Sequence, residues 1–116
     1  MKIGNMAEDI IVFSVRGEPE LGDEIQAIAE MVAGDVNNNV IVNFVGVDII
    51  RSSSLTKLLE LRQALVARGR QLVLCNIRPL TQSILEITDI NGVFAIAADK
   101  EAGASLIRGN QFAYVS

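Results

Sequence analysis

The chain of 116 residues has no histidine and no tryptophan, a single cysteine, two prolines and only 4% aromatic residues. Without histidine the commonest general base and metal ligand is missing, so neither a Ser-His-Asp nor a Cys-His site can be assembled. Cys75 has no second cysteine to pair with, and its place after the run Leu72-Val73-Leu74 suits a small buried hydrophobe in a strand. No apolar run approaches the about 18 residues of a spanning helix, and no basic leader precedes a cleavable apolar segment. The expectation is a soluble cytoplasmic protein without direct membrane insertion. There is no glycine-rich phosphate loop, dinucleotide fingerprint, Cys/His metal spacing or nucleophile elbow. We therefore expect no enzyme activity, no cofactor and no metal.

What the chain does have is aliphatic: half of its residues are hydrophobic, enough for one core at this length, and we expect a single domain over residues 1–116. The net charge of −4 and pI near 4.7 argue against nucleic acid as a partner. The charge is unevenly spread. Residues 1–50 carry nine acidic and two basic side chains, whereas residues 51–78 carry Arg51, Lys57, Arg62, Arg68, Arg70 and Arg78 against Glu60 alone. A basic stretch in an acidic chain is either a solvated face or a surface for an acidic partner.

Apolar β-rich runs alternate with helical patterns. Residues 10–15 and 40–44 read as buried strands, as do 71–75 and the shorter 93–97. Between the first two, Asp23 and Gln26 give a capping-box spacing ahead of the stripe Ile25, Ile28, Ala29 and Val32, with a stop at Gly34-Asp35. Pro79 suits the first turn of a helix burying Leu80, Ile84, Leu85 and Ile87, and Asn91-Gly92 signals a turn. Residues 99–107 form a last helix weakened by Gly103, and 111–114 show no period. This alternation predicts an α/β fold with a mostly parallel sheet.

The most informative stretch runs from Val45 through Ser52-Ser53-Ser54 to Leu65. Turning about 100° per residue from Leu55, the residues Leu58, Leu59, Leu61, Leu65 and Val66 share one arc with it, while Thr56, Lys57, Glu60, Gln63 and Ala67 lie opposite. Arg62 falls inside the apolar arc, either snorkelling along the core edge or facing a partner. The serines thus stand at the helix N-terminus, among N–H groups without helical partners. Two readings are open: a serine caps the helix, or an exposed serine is modified. Extending the helical phase backwards puts Ser53 at about 160°, on the polar side, and Ser54 at about 260°, at the edge of the buried arc. A phosphate on Ser53 would face free N–H groups and the positive helix end.

This stretch, followed by Gly69-Arg70-Gln71-Leu72-Val73-Leu74-Cys75, resembles the STAS domains of anti-sigma factor antagonists. There a strand leads through a hydrophobic residue, Asp, Ser, Ser, Gly and Leu into a helix, and a partner kinase phosphorylates the second serine. Residue by residue, that serine is Ser53, the first is Ser52 and the leucine is Leu55, while Arg51 replaces the Asp and Ser54 the Gly. The resemblance implies a mixed, mostly parallel four-stranded sheet with surrounding helices. It also implies an antagonist that binds an anti-sigma factor serine kinase through Arg51, Ser52, Ser53, Ser54, Thr56 and Lys57, and that serine phosphorylation switches off. Phosphorylation is expected at Ser53 before Ser52 or Ser54. Other STAS domains are further candidate partners, with a scaffold subunit of a stress-signalling complex or a transporter subunit as the alternative roles.

Overall fold

Five strands lie side by side in one sheet, the inner ones built from runs of β-branched and aliphatic residues. The computed structural model describes residues 1–34, 36–88 and 92–115, with the side chains of 110–115 excepted. The elements follow as β1 (Lys2–Ala7), β2 (Ile10–Arg16), α1 (Leu21–Ala33), β3 (Asn39–Gly46), α2 (Ser52–Ala67), β4 (Leu72–Cys75), α3 (Pro79–Ile87), β5 (Ala95–Ala97) and α4 (Lys100–Val115). The strands lie in sequence order, β2 to β5 parallel and β1 antiparallel on the edge beside β2.

That order settles the layers. Right-handed crossovers that always step to the next strand in one direction put their helices on one face. Accordingly Leu21, Ile25, Ile28 and Val32 of α1, Leu55, Leu58, Leu61 and Leu65 of α2, and Leu85 of α3 all pack on Phe13, Val15, Val40, Val42, Phe44, Leu72 and Leu74. Each such side chain, fully buried, contributes about 1.5–3 kcal/mol over its exposed state. The alternate residues Ile10, Val12, Ile41, Val73 and Cys75 face the other way and are covered by α4 through Ile107. Gly103 permits that approach, since a Cβ there would stand 3.2 Å from Ile41 Cδ1 and 3.4 Å from Val73 Cγ1. Burial, followed by the nearby charges of Asp99 and Glu101, pushes the Cys75 thiol up to about 11, so it stays protonated at neutral pH.

Several expectations are corrected. The sheet has five strands rather than four, because Lys2–Ala7 pairs with β2. Lys2 to Asn5 are exposed, and an edge strand of that kind carries no apolar alternation to read. The first helix begins at Leu21, two residues ahead of Asp23, and no side chain caps it. On α3, Leu85 and Thr81 are buried, whereas Leu80 is 61% and Ile87 82% exposed. The last helix continues through the tail to Val115. Asp35 and Asn91, expected in a helix stop and a turn, lie outside the described residues.

Candidate functional site

β3 ends at Gly46, and the chain turns as Val47 N–H donates to Phe44 O at 2.9 Å. Residues 47–50 are then fixed from the side. The Arg78 guanidinium donates to Val45 O at 2.7 and 3.1 Å and to Asp48 Oδ1 at 2.8 Å, and the Thr81 hydroxyl donates to Asp48 O at 3.3 Å. Ile50 turns into the core at 4% exposure while its neighbour Ile49 stays 53% exposed. One residue of the pair anchors the loop, and the other is presented.

Arg51 is the N-cap of α2, extended at φ −82° and ψ 155°, and its carbonyl accepts the first helical bond from Leu55 N–H. No serine caps the helix, and the capping group comes from far along the chain. Glu18 Oε2, in the β2–α1 turn, accepts from Arg51 N–H at 2.8 Å and from the Ser54 hydroxyl at 2.7 Å. A carboxylate at this end also complements the helix dipole. Gly22 closes the gap between α1 and this corner: a Cβ on it would lie 3.2 Å from Ser54 Oγ.

The serines separate as the helical phase predicts. Ser52 and Ser53 are exposed, and Ser54 is buried at 1% exposure. Ser54, counted among the partner-facing and modifiable residues, therefore points inward with its hydroxyl committed to Glu18. Arg51 and Thr56 are exposed and Lys57 is half-buried, and the Thr56 hydroxyl turns back to Ser52 O at 3.1 Å.

The basic stretch divides into two groups. Arg68 reaches from the end of α2 to the C-terminus of α1, donating to Ala33 O at 3.0 Å and Val36 O at 3.4 Å. It supplies a cation that the last turn of α1 lacks. Arg70 donates to Asn37 Oδ1 at 3.1 Å, and Arg78 holds the β3–α2 loop. Arg51, Lys57 and half-buried Arg62 make no ion pair among the described residues.

Two features of the site escaped the sequence. Glu18 stands 33 residues before Arg51, with no local pattern linking them. Val45, Ile49 and Leu80 are 52%, 53% and 61% exposed, and the Arg78 contacts tie the start of α3 to the β3–α2 loop that leads to the serines. Among the described residues no group of acidic or cysteine side chains could hold a metal ion, and no helix is long and apolar enough to cross a membrane.

The family model for the STAS domain matches residues 7–103. No curated protein matches the chain. Among solved structures, an anti-sigma-factor antagonist (STAS) domain protein from Planctomyces limnophilus superposes with a TM-score of 0.79 at 18% identity, covering 92% of this chain and 97% of the other. The unphosphorylated anti-sigma factor antagonist SpoIIAA gives 0.74 at 16% identity, over 93% and 96% of the two chains. A sulfate transporter family protein from Wolinella succinogenes gives 0.74 at 13% identity, over 91% and 93%. At such identities the likeness speaks for the fold alone, and the same fold occurs in proteins of different function.

Proposed function

The chain belongs to the STAS-domain family, and on that premise we propose that it is an anti-sigma factor antagonist whose exposed Ser53 is the switch. Unmodified, the face around Ser53 binds an anti-sigma factor serine kinase and so frees a sigma factor for transcription; phosphorylated, it lets the kinase go. The chain acts in the cytoplasm as a binding module rather than an enzyme.

The observation that carries this reading is the contrast between adjacent serines. Ser53 is exposed in the first turn of α2, with Arg51 and Lys57 within one turn of it and exposed Ile49 in the loop before it, while Ser54 is buried. Apolar side chains mixed with cations that make no ion pair among the described residues suit the centre of a protein interface with an acidic partner. A phosphate there brings about −1.5 to −2 charge into a surface that must dehydrate to bind. Such a penalty of several kcal/mol is two or more powers of ten in affinity. Arg51, where the family has Asp, places a cation beside that phosphate.

The test is binding of the kinase partner to Ser53→Ala and Ser53→Asp chains by calorimetry. Ser53→Ala should retain the wild-type affinity and Ser53→Asp should lose at least tenfold. Equal affinities would refute the switch.

A further inference from the structure

One carboxylate oxygen joins the β2–α1 turn to the start of α2. Glu18 Oε2 takes the Arg51 N–H at 2.8 Å and the Ser54 hydroxyl at 2.7 Å, so it bonds to the residues on both sides of the Ser52-Ser53 pair. Ser54 is 1% exposed, and its hydroxyl lies against Gly22 of α1, where an added Cβ would stand 3.2 Å from it. The acid that the family motif carries just before the serines is Arg51 in this chain. Here the negative charge at the helix end comes instead from a turn that is distant in sequence and adjacent in space.

We propose that Glu18 is the positioning residue of this site, and that a phosphate on Ser53 displaces it. The carboxylate holds Ser54 inward and ties the turn of residues 17–20 to the helix end, leaving Ser53 as the outward hydroxyl. A phosphate on Ser53 lies in the same first turn and seeks the same positive helix end that Glu18 already occupies through the Arg51 N–H. Two anions at one helix end repel, and the doubly charged phosphate is covalently attached whereas Glu18 is held by hydrogen bonds. The turn is therefore the part that gives way. Modification of Ser53 is then felt at two places, the serine face itself and the β2–α1 turn. A partner that touches both reads the phosphate twice.

The inference rests on Ser53 being the modified residue, and its test needs neither kinase nor partner. Phosphoserine is placed at position 53 of the full chain during translation, and amide exchange is followed by nuclear magnetic resonance in the wild-type and Glu18→Gln backgrounds. The glutamine keeps a neutral acceptor of the same shape. In the wild type, phosphoserine should speed exchange of the Arg51 amide and of residues 17, 18 and 20 at least tenfold. In Glu18→Gln, where the charge conflict is absent, the same phosphoserine should change those amides less than threefold. Unchanged exchange on phosphorylation of the wild type, or an equal change in both backgrounds, overturns the proposal. A kinase partner that binds Ser53→Asp as well as wild type would instead overturn the switch reading and leave this coupling standing on its own result.

Discussion

Gly22 and Ser54 approach so closely that a Cβ on the glycine would stand 3.2 Å from the serine oxygen. The first turn of α1 thus rests directly on the corner where Glu18 meets α2. Gly22→Val should push the two apart, straining the Ser54–Glu18 hydrogen bond, and cost about 1–3 kcal/mol as other overpacking changes do. Urea unfolding measures the loss. An unchanged midpoint would show that α1 moves aside freely.

Arg68 bridges two helices by donating to the carbonyls of Ala33 and Val36. Because Arg68 is exposed, solvent screens the interaction, and Arg68→Ala should cost only about 0.5–1 kcal/mol. Lys57→Ala, which removes no ion pair among the described residues, should stay within about 0.5 kcal/mol of the wild type. Thermal unfolding of the two variants should separate the cation that builds the fold from the one available to a partner.

Glu24 gives the stability a dependence on pH. Burial disfavours its charge, but the backbone N–H and guanidinium of Arg16, with the amino group of Met1, outweigh burial and hold the carboxyl below its ordinary value of 4.5. The folded state therefore binds the proton less tightly than the unfolded chain does. The stabilisation is fully present above the unfolded value and is lost as pH falls below it through the folded one. Glu24→Gln should cost stability at pH 7 by about 1.5–3 kcal/mol, the range for hydrogen bonds to a charged group. It should also flatten the loss between neutral and acid pH. Unfolding midpoints from pH 7 down to pH 3 provide the comparison, and parallel curves for wild type and variant would count against this role.

Much of the architecture was legible because it rests on apolar period. Leu55, Leu58, Leu61 and Leu65 recur at helical spacing and are the buried stripe of α2, and the same phase separates outward Ser53 from inward Ser54. The closure at Arg68-Gly69 is equally local, since Gly69 adopts φ +70°, where a glycine is unstrained. Val66, inside the same arc, is nevertheless 54% exposed, whereas Leu59 at its edge is half-buried against the core.

Other features depended on tertiary placement. β1 exists because β2 offers it an edge to pair with, and its own residues do not alternate. Leu80 and Ile87 share a helix with buried Leu85 yet face outward, because α3 meets the core only through a narrow strip. The capping group of α2 is a glutamate from another turn, and half of the basic residues expected to form a face are used to close carbonyls or fix loops. Such pairings join residues about 30 or more positions apart and leave no mark in any short window.

The central claim is that Ser53 carries the phosphate, and the most direct measurement is phosphopeptide mapping of the protein purified from its native cells across growth conditions and stresses. Cleavage after Arg51 and Lys57 isolates residues 52–57 as one peptide. The account predicts phosphate on Ser53 in at least one condition and none on Ser54. A peptide that is well covered and never modified, or one modified at Ser54, would contradict it.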